Sequence, residues 1–301
     1  MIKNRTRYSR PDDVGPVLPV DGAACSNQLD NLSGKYKNKS CVFTLNNMGS
    51  VNFNMISSGS RGNSTLIWDD ETLLIIDFGI TIKRFRERIE SLGIQHRDFS
   101  LFVSHEHSDH SRGVGMMKKY HSPDIYSREL TLEAMGITDG FGIRDSLAIG
   151  NFYVKAVSVS HDAADPVGYV IEAGKSKITV ISDLGQVSEG LISEAKNSDI
   201  LAFEANHDID MLKNGSYPYH LKRRILSDHG HLSNEQSAEA ISSMAGPNSR
   251  IILTHLSQEN NTQDSALNTV KSYLENRGID YSSIECASQT LGSALHTLQI
   301  D

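Results

Sequence analysis

Four groups able to hold a metal ion fall within six residues, His105-Glu106-His107-Ser108-Asp109-His110, directly after the apolar run 100 to 103. A buried strand ending in such a cluster can hold it in a rigid loop, and packing alone does not call for that density of imidazole and carboxylate. The mixture suits borderline divalent ions such as zinc, manganese or iron(II), and four donors can divide between two adjacent ions. Glu106 alternates with His105 and His107, so it is expected on the opposite side of the loop.

Three further ligand types end β-like runs: His161 after VKAVSVS, Asp183 after KITVIS and His255 after RIILT. Ligands at the tips of separate strands converge on one edge of a sheet. Asp77 ends another such run, LLII, just before Phe78-Gly79. Its expected role is to orient a ligand loop by accepting hydrogen bonds.

The positioning elements follow from periodicity. Short β-rich runs occupy 42 to 46, 51 to 56, 65 to 68, 73 to 76 and 100 to 103, and Ile82, Phe85, Ile89 and Leu92 recur at helical spacing within 80 to 92. Further strands are expected near 152 to 159, 168 to 172, 177 to 181, 199 to 203 and 250 to 254, with helices near 188 to 196, 234 to 245 and 263 to 277. Ser233 and Gln236 have capping-box spacing. The order points to an α+β fold with two packed sheets covered by helices, rather than a doubly wound parallel sheet. No internal sequence repeat is visible, although strand-strand-helix halves can repeat structurally.

Residues 1 to 41, with Pro11, Pro16, Pro19 and a basic start, read as a poorly ordered extension, which leaves 42 to 301 as the folded domain. No apolar run approaches the ~18 residues of a membrane span and no apolar h-region follows the start, so a soluble, cytoplasmic protein without a membrane partner is expected. Cys25, Cys41 and Cys286 lack C-x-x-C spacing and read as free thiols. A net charge of −8 argues against nonspecific coating of nucleic acid. A nuclease stays open, because two divalent cations would bring positive charge to where a phosphate must sit. Oligomeric state is not legible.

The HEHSDH segment resembles the H-x-H-x-D-H motif of the metallo-β-lactamase superfamily. Segments 57 to 63 (SSGSRGN), 161 to 169 (HDAADPVGY), 182 to 185 (SDLG), 204 to 212 (EANHDIDML), 230 to 235 (GHLSNE) and 254 to 261 (THLSQENN) resemble one branch, the nuclease-like VicX/YycJ (WalJ) group. That group is often associated with a bacterial two-component system controlling cell-wall metabolism. The likeness runs over roughly 48 to 300 and implies a four-layered αββα sandwich with metals at one edge. It assigns His105, His107 and His161 to one ion, Asp109, His110 and His255 to a second, and Asp183 to both. Two cations, zinc or manganese, would share a bridging hydroxide as nucleophile, with Asp109 accepting its proton.

Tyrosine, histidine and acid positions bear on the bond cleaved. In the resemblance to tRNA-processing nucleases of the superfamily, His231 stands where a general acid stands, and Glu204 where a carboxylate orients it. His207 and His229 compete for that role. His96, His121, His220 and His296 match no motif. The segment 217 to 224, YPYHLKRR, could receive a nucleic-acid strand through Tyr217 or Tyr219 and through Lys222, Arg223 or Arg224, or form an amphipathic helix with a solvated basic face. The resemblance places the glycine-rich turn of Ser60 and Asn63, which lacks a P-loop Lys, near the mouth of the site, where either could contact substrate or a ligand loop.

The expectation is therefore a dinuclear-metal phosphodiesterase acting on nucleic acid, with DNA favoured and exonuclease action implied by resemblance. Its rivals are a phosphodiesterase for small cyclic or conjugated substrates and a regulatory interaction protein linked to a two-component system. The diiron oxidoreductases of the superfamily would carry Glu where this chain has His107.

Overall fold

Period-two patterning decides which face of each strand turns inward. Along Phe152–Ser158, Phe152, Val154 and Ala156 are buried while Tyr153 and Lys155 stay partly exposed. Ile200–Glu204 is instead buried at every position, as a strand covered on both faces must be. The computed structural model describes residues 49–95 and 98–300. The strand expected at 42 to 46, the extension 1 to 41, Cys25, Cys41 and His96 lie outside the described residues.

The chain enters the first sheet with β1 (Ser50–Ser57), β2 (Ser64–Trp68), β3 (Thr72–Ile76), β4 (Asp98–Phe102), β5 (Asp124–Ser127) and β6 (Phe141–Gly142). It builds the second with β7 (Ser146–Ile149), β8 (Phe152–Ser158), β9 (Val167–Ala173), β10 (Ser176–Ile181), β11 (Ile200–Glu204), β12 (Arg250–Thr254) and β13 (Ser283–Cys286), and β14 (His296–Gln299) returns to pair with β1. Both sheets are mixed: β3 to β6 run parallel in one and β10 to β13 in the other, each after antiparallel hairpins. The two halves thus repeat in structure without repeating in sequence.

Helices cover both outer faces. On the first sheet are α1 (Ile82–Ser91), α2 (Ser108–Ser111), α3 (Val114–His121) and α4 (Glu129–Ala134), with Phe85, Met117 and Leu132 packed on Leu73 and Ile75. The second half adds α5 (Glu189–Ala195), α6 (Ile209–Asn214), α7 (Tyr219–Ile225), α8 (Asn234–Met244) and α9 (Gln263–Asn276). There, Ile241 and Val270 pack on Leu201 and Phe203. The expected capping box closes the start of α8, with Ser233 and Gln236 bonding each other's backbone. Between the sheets lie Phe53, Phe102, Phe152 and Tyr169. The result is the expected α+β sandwich of four layers, αββα.

Beneath the histidine loop the sheets are tied by polar bonds. The Val103 carbonyl accepts from the Tyr169 hydroxyl of β9 at 2.8 Å and from the Ser127 hydroxyl of β5 at 2.6 Å. Among the described residues no helix is long and apolar enough to cross a membrane.

Phe102 packs against Tyr126 and Tyr169, with ring centroids 5.1 and 5.5 Å away. Phe102→Ala is expected to lower unfolding free energy by about 3–5 kcal/mol in a denaturant titration. Cys286 is a free thiol. Burial first, then the charges of Glu285 and Asp264, push it up to about 12. The reactive thiolate is therefore scarce at pH 8, and Cys286 should alkylate slowly in the folded chain and at an ordinary rate after denaturation, as peptide mass mapping would record.

Candidate metal centre

Parallel strands bring their carboxyl ends to one edge, and here that edge carries the chemistry. Glu204 and Thr254 pair across β11 and β12, so His255 follows one step beyond, while Asp183 lies two residues past Ile181, the partner of Phe203. In the other sheet Ile76 pairs with Phe102, which sets Asp77 beside the start of the histidine loop.

The chain turns sharply as it leaves these strands. Asp77, Asp183 and His255 have φ of 61°, 59° and 54°, three of the five non-glycine residues with positive φ among those described. Such a conformation is strained for most side chains, but Asp and His tolerate it better. Retained at three tips around one pocket, it marks a site whose geometry outweighs backbone comfort.

Two donor groups form. His105, His107 and His161 each offer one atom, and these lie within 4.8 Å of one another; Asp109, His110, Asp183 and His255 do the same. His107 Nδ1 and His161 Nε2 are 3.3 Å apart, and Asp183 Oδ2 is 3.1 Å from His110 Nε2. Asp183 Oδ1 lies 3.5 Å from His255 Nε2 and 3.9 Å from His161 Nε2, so this carboxylate faces both groups.

The far ring atoms fix the tautomers. His161 Nδ1 faces the Gly230 carbonyl at 3.2 Å, His110 Nδ1 faces Asp77 Oδ2 at 2.7 Å, and His255 Nδ1 faces Glu204 Oε1 at 3.1 Å. These acceptors take the Nδ1 proton in a hydrogen bond, which leaves each Nε2 as the atom turned to the donor groups. His105 Nε2 is buried and has no hydrogen-bond partner. An orphaned imidazole nitrogen beside a carboxylate facing two donor groups fits divalent metal binding.

Electrostatics agree. Burial, then the neighbouring His110, hold His105 well below the ordinary imidazole range, which keeps it in the neutral form a metal needs. At His110 and His255 burial opposes charge, but the carboxylates, Asp183 foremost, prevail and raise both well above that range. A cation would replace those protons.

A shell of bonds holds the donors. Asp77 accepts from the Ser104 amide at 2.7 Å and its hydroxyl at 2.9 Å as well as from His110, so the expected orienting contacts are present. Asn63 donates to Asp109 Oδ2 at 3.2 Å and accepts from Gly59 at 2.7 Å, so it contacts the ligand loop. Gly79 is obligatory, since a Cβ there would meet the Asp109 carbonyl at 1.6 Å. Ser58 accepts from the His255 amide at 2.8 Å, and Asn206 donates to the His255 carbonyl at 2.9 Å. Ser58, Ser104 and Asn206 were missed because their types are common in any turn; only adjacency to a ligand segment marks them.

A third acid-imidazole group, Asp183, Glu204, His231 and His255, also lies within 4.8 Å. Glu204 Oε1 is 2.7 Å from His231 Nδ1, and Oε2 accepts from the Leu184 amide at 3.0 Å. Both oxygens are thus engaged by protein donors, which makes Glu204 an orienting carboxylate rather than an open ligand. Burial opposes its charge, but His231 and His255 prevail and hold it at about 2.

The remaining expected residues divide. His207 is 1% exposed, neither ring nitrogen is hydrogen-bonded, and burial pushes it down to about 4. His229 is exposed beside Ser160. Ser60 is exposed and Tyr217 half-buried. Lys222 gives its ammonium to the Lys213 and Gly215 carbonyls at 2.8 and 2.7 Å, and Arg224 clamps Asp162, beside His161, at 2.6 and 2.8 Å. Glu106 turns away to the Ala164 amide, as expected from its alternation.

Two mixed sheets between helices, with paired His/Asp donor groups at the carboxyl edge, define the metallo-β-lactamase class. A family model described as a Beta-lactamase superfamily domain matches residues 100–256. Exodeoxyribonuclease YycJ of Bacillus anthracis is 35% identical over 239 residues, covering 76% of this chain and 90% of that protein. Exodeoxyribonuclease WalJ of Streptococcus pneumoniae is 32% identical over 255 residues, covering 79% and 95%. The metallo-β-lactamase fold protein YhfI of Bacillus subtilis superposes with a TM-score of 0.63 at 16% identity, over 83% of this chain and 99% of that one. The chain belongs to the YycJ/WalJ family of the β-lactamase superfamily.

Asp77→Ala should weaken divalent metal binding about 10- to 100-fold in an equilibrium titration, because it frees the His110 ring and the Ser104 backbone. The fold should survive, as the melting profile would show.

Proposed function

We propose that the chain is a dinuclear-metal phosphodiesterase that removes nucleotides from an end of DNA. The observation that carries this reading is the His231–Glu204 pair beside the donor groups, with Nδ1 of His231 2.7 Å from the carboxylate. A leaving alkoxide needs a proton, and this pair can supply one. The exodeoxyribonuclease names of YycJ and WalJ support DNA as the substrate.

His105, His107 and His161 would hold one ion and Asp109, His110 and His255 the other, with Asp183 shared. Zinc or manganese suits these donors. When bound, the two cations activate water and neutralise phosphoryl charge. Asp109, held well below the usual carboxylate range by His110 and His255 against burial, stays ionised and accepts a hydrogen bond from the attacking water. His231, with Nδ1 committed to Glu204, would give the Nε2 proton to the departing oxygen. His207 has no orienting partner, and His229 is too exposed for a fixed proton path.

The net charge of −8 favours a second reading, a small cyclic or conjugated phosphodiester as substrate. Turnover of bis(p-nitrophenyl) phosphate measured beside that of oligonucleotides separates the two. With zinc, manganese or magnesium, end-labelled single- or double-stranded DNA is expected to shorten from one end. Intact DNA in all three metals would overturn the nuclease reading. His231→Ala should slow cleavage by about 10²- to 10⁴-fold while metal content is unchanged.

A further inference from the structure

We propose that Tyr219 and Arg223 form a stacking platform that holds a single strand of DNA beside the metal centre. The choice of single-stranded DNA rests on the nuclease reading above. Residues 213 to 224 carry Lys213, Lys222, Arg223 and Arg224 and no acid, a local basic stretch in an acidic chain. The fold spends two of those cations internally. Lys222 caps the Lys213 and Gly215 carbonyls, and Arg224 is paired with Asp162. With Ile225, the one buried residue of α7, they fasten the helix to the body.

What α7 presents outward is an aromatic ring and a cation one turn apart. Tyr219 is 75% exposed, and the exposed Arg223 sets its guanidinium carbon 5.9 Å from the ring centroid. An exposed tyrosine gains nothing from the hydrophobic core. Its π-face can take an unpaired base of any sequence, while the neighbouring guanidinium meets the phosphate that the base brings with it. A duplex offers no such face, because its bases are already stacked on one another.

The platform connects to the chemistry. The Ile225 carbonyl, at the end of α7, accepts from the His231 amide at 2.9 Å, and Gly230 holds the His161 ring. At ~1.5 Å rise per residue Tyr219 stands roughly 9 Å along the helix from Ile225.

The test is a fluorescence-anisotropy titration of a labelled single-stranded oligonucleotide with nuclease-resistant phosphorothioate linkages, using the full chain. Tyr219→Ala should weaken binding roughly 5- to 100-fold, and Tyr219→Phe should bind as the native chain does. Arg223→Ala should lower the slope of log affinity against log salt by about 0.7, one phosphate contact on a single strand. Melting temperatures should stay unchanged, since the ring is exposed. Native-like binding by Tyr219→Ala, or no binding by the native chain, would overturn the platform. Binding without cleavage of ordinary DNA would instead overturn the nuclease reading and leave the platform standing.

Discussion

Lone-pair donors resist being buried together, and this fold forces the rings of His105, His110, His161 and His255 around a single carboxylate that is 3% exposed, Asp183. Burying such groups without compensation is costly. The protein compensates on the outside of the cluster: Asp77, the Gly230 carbonyl and Glu204 each engage the far nitrogen of a ring and fix which nitrogen turns inward. The inward side calls for positive charge. Much of the local architecture follows, from the left-handed strand tips at Asp77, Asp183 and His255 to the lack of a side chain at Gly79, where the Asp109 loop passes.

Glu204 joins the two proposed roles of the site. One of its oxygens lies between His255, a candidate ligand, and His231, the proposed proton donor. Because that carboxylate is fixed by backbone amides at Leu184 and Leu232, the proton donor and the donor cluster share one rigid reference. Within the segment between Glu204 and His231, Lys222 is held by the Lys213 and Gly215 carbonyls and Arg224 by Asp162, so these cations pin the segment down. A basic stretch in sequence is thus part scaffold and part surface.

The donor cluster was legible because it needs rare residue types at fixed positions after apolar runs, and the central strands because β11 and β12 are continuous apolar stretches. The edge strands were not. Phe141–Gly142 is two residues long and Ser283–Cys286 and His296–Gln299 have mixed patterns, so their pairing is decided by the neighbouring strand, not by their own periodicity. The roles of Lys222 and Arg224 were also hidden: whether a cation meets a phosphate, a carbonyl or Asp162 depends on what the fold brings within a few ångströms. Ser58, Ser104 and Asn206 act through hydrogen bonds that no spacing announces.

The donor cluster is proposed to hold two cations rather than one or none. Metal-free chain titrated with zinc or manganese, with bound ion counted by plasma mass spectrometry after dialysis, tests it most directly. Saturation at two ions per chain is the expected result; saturation at one, or no retained ion, would contradict the two-cation assignment.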